Sequence, residues 1–373
     1  MGKTGPVLVL NAGSSSIKFA VFDGGLEETL AGSVEICPED SARSRGGAKR
    51  PPVGADGRCP AVPPDGASDH GQALEVILGR LGQSGIPVGA LAGAAHRVVH
   101  GGARLTAPCR ITPDIIAEIR ACIPLAPLHN PHNLAAIETL AEIAPDLPQF
   151  ASFDTAFHAT NPEVARRFAI PDDLHKSNIR RFGFHGISYR ALVDGFPGPL
   201  PERLLAFHLG NGASLCAIHK GRSVATTMGY SPLDGLTMGT RPGSMDAGAV
   251  LEIVARLGLE ETREVLNRRS GLLALSGIGP DMRALLDSDA PEAAFAVEHF
   301  CYWAARHAGS MIAAMQGVDA IAFTGGIGEN AAPVRERIVE LLAWSGVAQA
   351  DIHVIAAREE RQIAADALQL MRK

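Results

Sequence analysis

The chain has 373 residues, enough for two packed domains, because a single core stops growing efficiently near about 250–300 residues. With 46% hydrophobic and 20% charged residues, 41 glycines and 25 prolines, it has the composition of a folded globular protein rich in tight turns. A net charge of −6 argues against a nucleic-acid partner or an anionic-membrane surface, and six scattered cysteines without a Cys-x-x-Cys pair argue against zinc or a redox couple.

The apolar run at 7–10 is too short for the core of a signal peptide, and no segment approaches the roughly 18 apolar residues of a membrane span. A cytoplasmic chain with reduced thiols is expected. Residues 7–10 read as a strand, 11–16 are small and polar, and 17–22 resume as a strand. In the turn Asn11-Ala12-Gly13-Ser14-Ser15-Ser16, backbone N–H groups and three hydroxyls suit phosphate oxygens. Strand alternation puts Lys18 on the face opposite Ile17, Phe19 and Val21, beside that turn. Ser14, Ser16 and Lys18 are therefore phosphate candidates, with a plain hairpin turn and solvated serines as the alternative from this segment alone.

Residues 41–69 are rich in Pro, Gly and mixed charge without apolar periodicity, and are expected to be an exposed, mobile loop. Helical spacing follows at 71–81 and at 113–122, where Thr112 suits the cap and Pro113 the first turn. Further helices are predicted at 134–143, 248–257, 292–315 and 358–371, and strands at 204–209, 215–219 and 319–323. This alternation predicts an α/β architecture. Segments 7–22 and 204–219 both run strand, loop with Asn, Gly and Ser, strand, which suggests a duplicated lobe.

Two more glycine-rich turns follow predicted strands: Gly210-Asn211-Gly212-Ala213-Ser214, and Gly325-Gly326-Ile327-Gly328-Glu329-Asn330 leading to a helix with Pro333 near its start. Glycine lets backbone approach a nucleotide closely, and a helix N-terminus attracts anions; plain turn geometry is the competing reading of each. Arg97 and Arg241 sit among glycines and valines that cannot pair with a charge, which favours a carboxylate or phosphate over a surface ion pair. His96 and His100, and His129 and His132 around Pro131, lack the sequence of a zinc helix and are better read as structural histidines.

A series of strings resembles the signatures of the acetate kinase family, in order and from residue 7 to about 363: NAGSSSIK at 11–18, HRVVHGG at 96–102, APLHNP at 126–131, FDTAFH at 153–158, RRFGFHG at 180–186, HLGNGAS at 208–214, LDGLTMGTRPG at 233–243 and TGGIGEN at 324–330. The resemblance implies the actin-like fold: two ribonuclease-H-like lobes, each a mixed sheet with flanking helices, with a nucleotide in the cleft between them and usually a homodimer. The boundaries it suggests are 1–152 plus 360–373 for the first lobe and 153–359 for the second, which would carry most of the nucleotide site. It also implies reversible in-line phosphoryl transfer from ATP to acetate, giving acetyl phosphate and ADP, with Mg2+ or Mn2+.

Carried to matching positions, the family's roles give Arg97 the acid's carboxylate, Arg241 the phosphoryl group in transit, and His185 a hydrogen bond to that group. Asp154 becomes the active-site acidic residue, orienting an arginine and the substrate, since a carboxylate nucleophile has no proton to lose. Asn11 and Glu359 match the metal-associated positions, with the hard oxygen donors magnesium prefers. ATP contacts map to His208, Leu209, Gly210, Asn211 and Gly212, to Asp281, Met282 and Arg283, and to Gly326, Ile327, Gly328, Glu329 and Asn330. Val99, Leu128, Phe184 and Pro232 match the small apolar pocket for the methyl group, with ordinary core packing as the alternative.

Three departures stand out: Tyr189 where the family commonly has His, Ala-Ala-Arg before Glu359 where it usually has Pro-Thr-Asn, and the altered 41–69 region. Propionate kinases share nearly the same motifs, and one methylene shifts pocket preference by only about 1–3 kcal/mol. From a different class, an actin-like ATP-binding module would not require Arg97, Arg241, His185 and Asp154 together.

Overall fold

A computed structural model describes residues 5–37, 67–347 and 350–372. The chain divides into two compact units, residues 1–153 with 359–373, and residues 154–358.

The first unit is built on a six-stranded mixed sheet: β1 (Val7–Ala12), β2 (Ser16–Phe22), β3 (Glu28–Glu35), β4 (Gly93–Val98), β5 (Cys109–Arg110) and β6 (Gln149–Phe153), in the order β3-β2-β1-β4-β6-β5. β1 pairs antiparallel with β2 and parallel with β4, and β4 pairs parallel with β6. Val7, Leu8, Val9 and Leu10 are all buried, as an unbroken apolar run must be when both faces of a central strand are covered. Along β2 the faces separate: Ile17, Phe19 and Val21 enter the core while Lys18 stays exposed.

One face of this sheet is covered by the helices His70–Gln83 and Asn130–Ile143, whose Leu74, Ile77, Leu81, Ala136 and Leu140 pack on Leu8, Leu10 and the inward side chains of β2. The i, i+3, i+7 spacing of Leu74, Ile77 and Leu81 is what directs that helix onto the sheet. Val7 and Val9 are buried outside that cluster, and the helix Glu359–Met371, which packs on β1, β4 and β6, covers them from the other face. Of the loop expected at 41–69, residues 41–66 lie outside the described residues. Its end departs from that expectation: Ala67 is buried in a bridge to Ile36, and Asp69 accepts from the Gln72 amide to cap the helix.

The second unit carries a five-stranded sheet of β7 (Arg203–Leu209), β8 (Ala213–His219), β9 (Arg222–Thr226), β10 (Ala320–Thr324) and β11 (Asp351–Val354), in the order β11-β10-β7-β8-β9. β7 and β8 form the same antiparallel pair as β1 and β2, with β10 parallel to β7 as β4 is to β1. Tyr189 and Leu192 of the helix Gly186–Asp194 pack on Leu204, Ala206, Cys216 and Ile218, while the long helix Pro291–Met315 lies against β7, β8 and β9. Each unit is thus a mixed sheet flanked by helices, the α/β architecture that the resemblance implies.

Gly325–Asn330 differs from the open turn expected of it, forming a short helix directly after β10. Gly325 takes φ +78, and side chains from the end of the segment close it: Glu329 accepts the Gly325 amide at 3.1 Å and Asn330 donates to the Gly326 carbonyl at 2.8 Å. Among the described residues no helix is long and apolar enough to cross a membrane.

Candidate active site

In the first unit, the polar turn after β1 is tight, with the Gly13 amide donating to the Ser16 carbonyl at 2.8 Å. It is braced from two helices, by His70 Nε2 at 2.9 Å from the Gly13 carbonyl and by Asn133 Nδ2 donating to the Ala12 carbonyl at 2.8 Å. Ser14 and Lys18 are exposed beside it, and Ser16 is half-buried. Arg97, near the end of β4, is half-buried and donates from Nη1 to Asn11 Oδ1 at 3.5 Å. The register β1–β4 explains the meeting, since Leu10 pairs with His96 and the next residues are Asn11 and Arg97.

The segment after Arg97 is fixed by two buried asparagines one turn apart on the helix Asn130–Ile143. Asn133 accepts the Val99 amide at 3.0 Å, and Asn130 accepts the His100 amide at 3.1 Å while donating to its carbonyl at 2.9 Å. His96 faces the other way, with Nε2 at 2.7 Å from Gln149 Oε1; burial holds its pKa down at about 4. Val99 is buried and Leu128 is 44% exposed. Glu359 opens the helix Glu359–Met371 in this same unit.

In the second unit, Asp154 and His185 are joined through backbone. The Gly186 amide donates to the Asp154 carbonyl at 2.7 Å, and a Cβ at Gly186 would collide with that oxygen. His185 precedes the helix Gly186–Asp194 in the left-handed region, φ +59, which is uncommon for a residue with a Cβ. Its ring stacks on His208 at 4.1 Å between centroids, with Nδ1 at 2.9 Å from Ser214 Oγ.

Arg241 reaches the same spot. A Cβ built on Gly212 would stand 2.7 Å from Arg241 Nη2 and 3.2 Å from His185 Nε2, so the guanidinium and the imidazole converge on the bare backbone of this glycine. Arg241 Nη1 donates to the Pro232 carbonyl at 2.8 Å, and burial lowers its pKa to about 10, leaving it a cation at neutral pH in a poorly solvated place. Pro232 therefore meets Arg241 through its carbonyl. Phe184 is buried, and its carbonyl lies 2.9 Å from His158 Nε2.

Beside this cluster the second unit has a cavity of about 670 Å³, lined by Gly210, Asn211, Asp281, Met282, Arg283, Gly326, Ile327 and Asn330 of the predicted nucleotide residues. His208, Leu209, Gly212, Gly328 and Glu329 are outside this lining. Leu209 is core, Gly328 packs on Phe323 and Leu209, and Glu329 Oε1 receives the Gly325 and Ala357 amides. Pro280, Leu286, Ala331 and Pro333 also line the cavity without having been anticipated. Leu286 follows Met282 by one helical turn and could have been found by extending that motif along its helix, while Pro333, noted in the sequence only as a helix-start residue, lies in the first turn of the helix Ala332–Leu341. Asp281 caps its short helix and pairs with the largely exposed Arg283 at 2.7 Å.

Asn11 and Glu359 offer oxygen donors only, and no cluster of three or more His, Cys, Asp or Glu able to hold a metal occurs among the described residues. That donor set fits a magnesium ion, which typically takes one or two protein oxygens and completes its shell with phosphate and water.

The acetokinase family model matches residues 6–369. An acetate kinase of Rhodopseudomonas palustris is 47% identical over 353 residues, covering 91% of this chain and 87% of that protein. One of Streptomyces coelicolor is 42% identical over 358 residues, covering 92% and 86%. Among solved structures, an acetate kinase of Porphyromonas gingivalis superposes with a TM-score of 0.83 at 30% identity over 98% of this chain and 100% of that one. A propionate kinase of Francisella tularensis gives 0.84 at 33% identity over 97% and 98%.

Proposed function

Because the chain belongs to the acetokinase family, we propose that Arg241, His185, Arg97 and Asp154 are the groups through which it moves a phosphoryl group. The reaction is reversible transfer of the ATP γ-phosphoryl to acetate, giving acetyl phosphate and ADP, with a carboxylate as acceptor. The fold is that of the actin-like ATPases.

The observation that carries the assignment is the convergence of Arg241 Nη2 and His185 Nε2 on Gly212, next to the cavity of the second unit. A phosphoryl group in transit spreads negative charge over its peripheral oxygens, and fixed donors in a poorly solvated place stabilise it without reorganising. Arg241 supplies the charge and His185 an N–H. The adenine nucleotide occupies the cavity, with its phosphates toward the Gly210-Asn211-Gly212 backbone. Arg97 grips the acid's carboxylate through its planar fork, and Val99, Leu128, Phe184 and Pro232 receive the methyl group.

Asp154 orients rather than deprotonates, since the attacking carboxylate is already ionised at neutral pH. Ser14, Ser16 and Lys18 offer hydroxyls and a cation to phosphate. Asn11 and Glu359 would hold a magnesium ion, whose chemistry when bound is neutralisation of phosphate charge. The chain works in the cytoplasm as a homodimer.

The propionate kinase neighbour makes propionate the acceptor to compare with acetate. A hydroxamate assay for acyl phosphate across acids from formate to butyrate tests the reading, with kcat/KM expected to peak at acetate. A peak at propionate would move the assignment within the family; ATP hydrolysis without any acyl phosphate would overturn it.

A further inference from the structure

Two side chains lie in series behind the His185 imidazole that faces Gly212. Tyr189, on the helix Gly186–Asp194, is fully buried and places its Oη 2.6 Å from Ser214 Oγ, which is itself buried at the start of β8. Ser214 Oγ is in turn 2.9 Å from His185 Nδ1. We propose that Tyr189 is a positioning residue which, through Ser214, holds His185 in the neutral tautomer with its proton on Nε2, aimed at the phosphoryl group.

The direction of the chain follows from donor and acceptor counting. Among the described residues the Tyr189 hydroxyl has one hydrogen-bond partner within reach, Ser214 Oγ at 2.6 Å. A buried hydroxyl proton left unmade costs about 1–3 kcal/mol, so the Tyr189 proton goes to Ser214. The Ser214 proton is then turned toward the acceptor that remains, His185 Nδ1. An imidazole that accepts at Nδ1 carries its proton at Nε2, the atom beside Arg241 Nη2 at Gly212. A second cation is disfavoured there because the Arg241 guanidinium already occupies that point. The His208 ring stacks on His185 and has its own Nδ1 2.8 Å from Ser188 Oγ.

The stacking around Tyr189 fixes its reach. His158 and His208 meet its ring edge-on at 5.6 and 6.5 Å, and Phe157 stacks on it at 6.4 Å. Tyr189→Phe therefore keeps the packing and removes only the donor.

The inference rests on the assignment of His185 to the phosphoryl group for its effect on turnover, but the tautomer is read without turnover. Histidine-selective 15N labelling of the full chain, with the His185 signal identified by its loss in His185→Gln, is expected to show an unprotonated Nδ1 and a protonated Nε2 at neutral pH. In Tyr189→Phe the two tautomers should mix, and kcat should fall about tenfold, the equivalent of one lost hydrogen bond, with KM for acetate unchanged. Ser214→Ala should give the same mixing and replaces Tyr189→Phe if that variant does not fold. A proton on Nδ1 in the unmodified chain, or an unmixed tautomer in both variants, overturns the proposal. Failure of the unmodified chain to make acyl phosphate while the Nε2–H tautomer persists would instead remove the kinase roles and leave the hydrogen-bond chain standing.

Discussion

Gly212 shows how one absent methyl group shapes the chemistry. Its backbone is where Arg241 and His185 meet, and neither main chain nor core side chain is the obstacle to a Cβ there, only the ends of those two functional groups. Gly212→Ala should therefore leave the thermal midpoint within a degree or two while lowering kcat about 10²-fold or more, on the scale of losing one charge-stabilising donor, because the guanidinium must swing aside. Thermal melts beside steady-state kinetics check this, with Arg241→Ala as the reference for complete loss; a collapse in stability would mean the glycine serves packing instead. The arginines were readable in sequence because their neighbours could not pair with them. The two buried asparagines that fix the Val99 and His100 backbone were not, since each makes its contact some thirty residues away and nothing local marks it. Lys18 was readable for the opposite reason: alternation on β2 is a local rule, and the buried Ile17, Phe19 and Val21 obey it.

At the level of elements, pattern sufficed where burial is one-sided or the run is long. The helix Pro113–Ala121 begins as its sequence requires, with Thr112 Oγ accepting the Ile115 amide and Pro113 in the first turn, and the helix Pro291–Met315 matches the predicted span within a residue. The helix Asn130–Ile143 starts four residues before the predicted position because Pro131 fits its first turn. β4 was not among the predicted strands because Gly93, Ala94 and Ala95 have low strand propensity; they are strand because the backbone here pairs in parallel with both β1 and β6. A Cβ on Gly93 would lie 2.5 Å from Met371 Cε and 2.9 Å from the Pro148 carbonyl, so this position sets how closely the helix Glu359–Met371 approaches the sheet. Gly93→Ala should destabilise the protein by about 1–3 kcal/mol through overpacking, read as a lower urea midpoint. Shortening the contact in Gly93→Ala/Met371→Ala should recover part of that loss; no recovery would place the strain at the Pro148 carbonyl and the Phe150 ring.

The molecule as a whole buries neutral histidines in both units: His96 and His100 in the first, and His158 in the second, each held at a pKa of about 4 mainly by burial. A histidine whose folded pKa lies below its unfolded value of about 6.5 contributes stability that is fully present above 6.5 and is lost as pH falls toward 4, because the unfolded chain takes the proton first. Each such shift corresponds to roughly 3 kcal/mol at full extent. Urea midpoints should therefore be level above about pH 7 and decline steadily to pH 4.5; a flat profile over that interval would show that these imidazoles are hydrated in solution. The arrangement of the two units along the chain has a further consequence. Residues 154–358 form one uninterrupted stretch, whereas the sheet of the first unit is covered on one face by a helix encoded after them. On the ribosome the usual order is inverted: the middle of the message yields the first finished body, while the strands translated earliest wait, one side bare, for the last helix to emerge and seal them.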